Sequence, residues 1–219
     1  KSVYKRWCED VAPISWAEFP EMVVHVQLFA EVVRQWSVQT GFVGGLPNLP
    51  PAIEAILNIN GSEVENNRDA FLTILKSCDL TEVFSDVDDP MIYLYPKVLA
   101  KYQKSRVLQR GVFYTPPEVV RFMIDGIGEI LDDQFGVGDQ IASVHTQSGH
   151  RLLFLDPAAG TGAFVIHLLR KIHHIKNNDL SVSSEVRHHR WMEYVLDPVD
   201  GILQRLCGFE IMPVAWALL

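Results

Sequence analysis

Apolar residues recur at helical spacing along the first hundred positions. After Pro20, Phe29, Val32, Val33 and Trp36 stand at i, i+3, i+4 and i+7, which predicts a helix with one apolar face, stopped by Gly41. The stretch Gly44 to Pro51 holds three prolines and two glycines, so no regular element is expected there. A short helix is expected over 52–59, then a turn at Asn60-Gly61. Asn67 is read as the cap of a further helix carrying Phe71, Leu72, Ile74 and Leu75. Asp89-Pro90 has the form of a helix start, and Pro96 should kink or split the helix that follows. Nothing in this block carries chemistry by spacing.

The pattern changes after residue 110. Thr115-Pro116-Pro117-Glu118 reads as a helix start with a capping box, followed by Val119, Val120, Met123, Ile127, Ile130 and Leu131 as an apolar face. Residues 132–149 are polar and read as a loop with a short hairpin. Leu152-Leu153-Phe154-Leu155 is a continuous apolar run, expected to be a strand buried on both faces. It ends in Asp156-Pro157-Ala158-Ala159-Gly160-Thr161-Gly162, and Val165, Ile166, Leu168, Leu169 and Ile172 follow as a helix. Strand, small-residue turn and helix in succession begin a doubly wound α/β fold, whose ligands sit beyond the carboxyl ends of the strands. Residues 177–190 read as a polar insertion and 191–206 as one or two extra helices, before a second strand at Gly208-Phe209-Glu210-Ile211.

Composition narrows the class. The chain has 219 residues, 48% of them hydrophobic and 21% charged, as in ordinary globular domains. No apolar run approaches the roughly 20 residues that span a bilayer, so no membrane partner is expected. Cys8, Cys78 and Cys207 are scattered and odd in number. They are expected to be buried or half-buried free thiols in a reducing cytoplasm. The net charge of −8 is the wrong sign for a stand-alone nucleic-acid binder. Lys101, Lys104, Arg106 and Arg110 nevertheless form a short basic segment without an acid, suited either to a solvated helix end or to phosphate contact. The pairs His173-His174 and His188-His189 diverge on a helix, so no metal site is expected.

The turn after the first strand sets the candidate chemistry. No lysine follows its glycines, so it is not a triphosphate-gripping loop, and Val165 stands where a dinucleotide fingerprint wants a third glycine. Asp156 would put a carboxylate at the mouth of the turn, which suits a cationic amine and disfavours a pyrophosphate. Ala158, Ala159, Gly160 and Gly162 let a ligand approach the backbone closely. A nucleoside joined to a zwitterionic amino acid fits, and S-adenosylmethionine is such a molecule. Glu210, 54 residues beyond Asp156, can accept both ribose hydroxyls, with Ile211 against the adenine.

Three ordered stretches carry a family likeness: Gly111-Val112-Phe113-Tyr114-Thr115-Pro116, then Asp156-Pro157-Ala158-Ala159-Gly160-Thr161-Gly162-Ala163-Phe164, then Gly208-Phe209-Glu210-Ile211. Together they resemble the motifs of amino-type DNA methyltransferases, above all the N6-adenine enzymes fused into type IIG and type I single-polypeptide restriction-modification proteins. The resemblance spans about residues 88–219. The helical spacing of the first block predicts an all-helical N-terminal or connector domain over 1–104, and the resemblance implies, over 105–219, the start of a Rossmann-like S-adenosylmethionine-dependent methyltransferase domain, truncated before the catalytic motif. It also implies that Tyr114, Thr115 and Pro116 bind the methionine carboxylate and Asp156 the amino group. Pro157, Ala158, Gly160, Gly162 and Phe164 would line the cofactor, with Glu210 on the ribose and Ile211 beside the adenine.

The family's catalytic motif, Asn or Asp before Pro-Pro and an aromatic, should follow the second strand. Asn48-Leu49-Pro50-Pro51 is not that motif, because its asparagine is separated from the prolines and it lies upstream. No catalytic residue is therefore assigned, and the stretch is expected to be part of a larger protein, inactive and at best weakly cofactor-binding alone. The implied partner is double-stranded DNA, engaged through the full-length protein. A non-catalytic S-adenosylmethionine-binding or DNA-binding specificity or assembly module is the rival reading, and half of a nicotinamide-dependent dehydrogenase is a third, opposed by Asp156 and the absent third glycine.

Overall fold

The computed structural model describes residues 2–11, 13–41, 51–59, 62–83, 92, 115–138 and 140–210. Two compact units are present, one within Lys1–Arg110 and the other Gly111–Glu210.

The described part of the first unit is helical. It contains α1 (Ser2–Asp10), α2 (Phe19–Thr40), α3 (Pro51–Leu57), α4 (Ser62–Ser77) and α5 (Leu80–Val83). Pro20 stands in the first turn of α2, where its missing N–H costs nothing. Gly41 ends the helix in the left-handed conformation, φ 66°, donating back to Ser37 and Val38. Phe19, Met22, Val23, Val26 and Phe29 are the buried face of α2, with Trp7 of α1 and Ala52, Ile53 and Ile56 of α3. The C-terminal half of the expected stripe, Val32 and Trp36, is only half-buried and joins Phe71 around Leu75 and Leu80. α4 begins five residues before Asn67, so that residue lies inside a helix and is not its cap. The helix start at Asp89-Pro90, the kink at Pro96 and the basic segment Lys101 to Arg110 lie outside the described residues.

The second unit runs α6 (Pro117–Phe135), a 3-10 turn Gln140–Ala142, β1 (Phe154–Asp156), α7 (Ala163–Lys176), α8 (Ser184–Leu196), a 3-10 turn Ile202–Gln204 and β2 (Leu206–Gly208). β1 and β2 pair in parallel, with Phe154 opposite Leu206, Leu155 opposite Cys207 and Asp156 opposite Gly208. Parallel neighbours require a crossover, here made by α7 and α8. Val120 and Ile124 of α6, Ile141 and Ala142, Leu168 and Ile172 of α7, and Ile202 form the core, against which Phe154 and Leu206 pack.

Several expectations are corrected here. Pro116 is the N-cap of α6, with ψ 145° and no side-chain bond, so the Thr115 capping box does not form. A residue that precedes proline is driven to extended backbone, and the helix starts one position later than the box requires. Glu118 instead lies 3.7 Å from Arg121. The buried stripe of α6 is Val120, Ile124 and Gly128, while Val119, Met123, Ile127 and Ile130 are exposed. Among the described residues β1 is covered on one face only: Phe154 faces the core, and Leu153 and Leu155 are 68% and 61% exposed. The run is apolar on both sides, yet the core-forming helices lie on the Phe154 side. α8 starts at Ser184, inside the stretch expected to be an insertion, because Ser183 accepts the Val186 amide as a cap. β2 ends at Gly208, so Phe209 and Glu210 lie past its tip. Cys207 is exposed, unlike the half-buried Cys8 and Cys78. The polar segment before β1 makes one antiparallel bridge, His145 to Arg151. No helix among the described residues is long and apolar enough to cross a membrane.

Candidate functional site

The site is built where the two strands end. Asp156 closes β1, and the chain then turns through Pro157, Ala158 and Ala159 into α7. Two glycines allow the turn: Gly160 has φ 58° and Gly162 has φ 85°, conformations costly for a residue with a Cβ. Gly162 is the N-cap of α7, and its carbonyl accepts from Ile166 at 2.8 Å. Their requirement is thus conformational, whatever space they also leave for a ligand.

The turn is stitched to the end of β2 by backbone bonds. Phe209 N–H donates to the Asp156 carbonyl at 2.9 Å, and Ala159 N–H donates to the Phe209 carbonyl at 2.9 Å. Glu210 is thereby carried alongside the glycines, and its Oε2 accepts the Gly160 N–H at 2.7 Å. Asp156 and Glu210 accordingly stand at neighbouring strand tips. The Phe209 side chain is 65% exposed, so it is the backbone of this residue that does the stitching.

The two oxygens of Asp156 differ. Oδ1 accepts the Ala158 N–H at 3.1 Å. Oδ2 is buried and has no hydrogen-bond partner among the described residues. A buried carboxylate oxygen without a partner is costly, and a donor from a ligand is one way to satisfy it. An ammonium group supplies both the donor and the opposite charge.

The other expected site residues divide. Pro157 and Ala158 are exposed beside Asp156. Phe164, in the first turn of α7, is half-buried and packs against the core. Thr115 is half-buried and Pro116 exposed at the start of α6, a helix that packs on α7 and meets it through Lys171 Nζ and Asp125, 2.8 Å apart. Tyr114 and Ile211 lie outside the described residues. Of the histidines, His173 meets Trp191 edge to face at 4.8 Å and His189 lies 3.5 Å from Glu193.

Reasoning from sequence missed what holds β2 in place. Asp197 ends α8 and accepts the Asp200 and Val199 amides at 2.7 and 2.9 Å; these bonds, the Asp200 amide first, hold its carboxyl below the ordinary value of 3.8. A Cβ at Gly201 would overlap the carbonyl oxygens of Val195 and Asp197, so only glycine fits this turn. Arg205, at the entry to β2, is fully buried. The only sign of it in the sequence is a lone cation between Ile202 and Leu206.

Residues 86–190 match the family model described as N-6 DNA Methylase. That stretch is an N-6 DNA methylase region. It is a portion of a DNA adenine-N6 methyltransferase, of the S-adenosylmethionine-dependent superfamily, and the family implies S-adenosylmethionine as methyl donor and DNA as partner. No curated protein and no solved structure matches the chain. The N-6 DNA methylase match covers Asp156 and its turn but ends before β2. The link of Glu210 to that turn rests on the Gly160 bond.

Proposed function

We propose that the adjoining tips of β1 and β2 hold S-adenosylmethionine for methyl transfer to adenine N6 in double-stranded DNA by the full-length protein, as part of a restriction-modification system. Asp156 Oδ2 receives the ammonium group, and Glu210 receives the ribose hydroxyls in exchange for, or beside, the Gly160 amide. The Gly160–Gly162 backbone, with Pro157 and Ala158, walls the space between them. Tyr114, Thr115 and Pro116 take the carboxylate, Phe164 supports the turn from below, and Ile211 flanks the adenine. The sheet beyond β1 and β2 is the doubly wound sheet of such enzymes, and its compartment is the cytoplasm.

The cofactor supplies a methyl group on a cationic sulfur, ready to pass to a nucleophilic amine. This chain's residues bind and orient it. Fixing both its amino acid end and its sugar end restricts where the methyl points, and alignment of reacting atoms is a large share of such catalysis. The target adenine must leave the duplex to reach it.

The observation that supports this reading most is the Asp156 carboxylate: one oxygen tied to Ala158, the other buried without a partner. Isothermal titration of S-adenosylmethionine into the full-length protein tests it. Saturable binding that Asp156→Asn and Glu210→Gln each weaken is expected. Binding that neither substitution changes would overturn the reading.

A further inference from the structure

β2 is only three residues long, and a parallel pair that short has little register preference of its own. The residue at its entry supplies what the ladder lacks. Arg205 Nε donates to the Asp200 carbonyl at 2.9 Å, and one terminal nitrogen donates to the Ser143 carbonyl at 3.0 Å and the Leu152 carbonyl at 3.5 Å. The other donates to the Tyr194 hydroxyl at 2.7 Å, and that hydroxyl donates in turn to the Ala142 carbonyl at 3.0 Å. The Tyr194 ring lies 5.5 Å from the guanidinium carbon. The charge of Arg205 is met by three carbonyls, a hydroxyl and a ring face.

Burying a cation this way is expensive, and an apolar side chain would fill the space at less cost. What only the guanidinium achieves is a simultaneous grip on four segments. Two of its contacts bear on β1: its side chain reaches the Leu152 carbonyl, two residues before the strand, and its main-chain carbonyl accepts the Phe154 N–H at 2.7 Å. A slip of one residue between the strands would break both. The register so held sets Asp156 opposite Gly208, and from there Glu210 reaches Gly160.

We propose that Arg205, braced by Tyr194, is the positioning residue of this site: it fixes β2 against β1 and so holds the Glu210 carboxylate where the cofactor's sugar is received. This rests on the reading that the strand tips hold S-adenosylmethionine. It adds a pair of residues, both beyond the matched family region, that touch no ligand.

The test is a double-mutant cycle in the full-length protein, read by titration with S-adenosylmethionine and by methylation kinetics. Arg205→Lys, which cannot span the four acceptors, weakens binding about tenfold. Tyr194→Phe keeps the ring, removes the hydroxyl and weakens binding less. Both losses fall on the KM for S-adenosylmethionine rather than on kcat. In a Glu210→Gln background both effects shrink to within about twofold, because the group they position no longer contributes. Unchanged affinity, or effects that persist in full in that background, would show a support of the fold alone and overturn the proposal. If Arg205→Lys does not fold, Tyr194→Phe decides by the same criteria. A wild-type protein that binds no S-adenosylmethionine overturns the site and this proposal together. A site weakened by Glu210→Gln but uncoupled from Arg205 overturns only the latter.

Discussion

The Glu210 carboxylate accepts the Gly160 amide at 2.7 Å, although 50 residues separate them. The contact ties the turn after β1 to the residue just past β2. It is supported from below by the reciprocal bonds of Phe209 with Asp156 and Ala159. A carboxylate so held needs little further ordering to receive a diol, which lowers the entropic cost of binding.

Asp156→Asn separates binding from folding. The asparagine oxygen can still accept the Ala158 amide, and no existing partner of Oδ2 is lost. The thermal midpoint should therefore stay within a few degrees of the wild type. Affinity for S-adenosylmethionine should fall by about tenfold or more, since a charged hydrogen bond is worth roughly 1.5–3 kcal/mol. Calorimetry and a melting curve on the same sample check both halves.

The two faces of β1 should respond differently to substitution. Ile172→Ala, in the core that β1 covers, removes a fully buried side chain and should cost about 2–5 kcal/mol in denaturant unfolding. In the chain of 219 residues, Leu155→Thr, on the exposed face, should stay within about 0.5 kcal/mol. A large loss at Leu155 would mean that this face is covered.

Gly162→Ala places a Cβ on a residue with φ 85°. Strain of about 1–2 kcal/mol is expected, visible as a lowered denaturation midpoint. Since Gly162 caps α7, protection of the first-turn amides against hydrogen exchange should fall with it.

The turn at Asp197 gives a pH signature. Its carboxyl is held below 3.8 by the Asp200 amide and then the Val199 amide. A depressed folded-state value means that the ionised form stabilises the fold above the unfolded value, and that this contribution is lost as pH falls through the folded value. Asp197→Ala should therefore be less stable than the wild type at neutral pH. The gap should close on acidification below 3.8. Parallel unfolding curves for the two proteins across that range check it.

Local features were legible in the chain itself. Gly41 as a helix stop, the strand, small-residue turn and helix from Phe154 to Ile172, and the placing of Asp156 at the strand end all follow from spacing within a few residues, because helix and strand periods and the φ > 0 tolerance of glycine act over that range. The start of α6 misled, since two consecutive prolines moved the cap by one residue. The run at Leu152–Leu155 misled too, because an apolar residue reports that it can be buried and not that something is there to cover it.

Three things were decided only by the tertiary structure: which side of β1 meets the core, that Glu210 bonds Gly160, and that Arg205 is buried across four segments. Each depends on groups tens of residues apart meeting at the right register. The chain encodes such a meeting only through the packing of everything between them, so no spacing along the sequence reveals it.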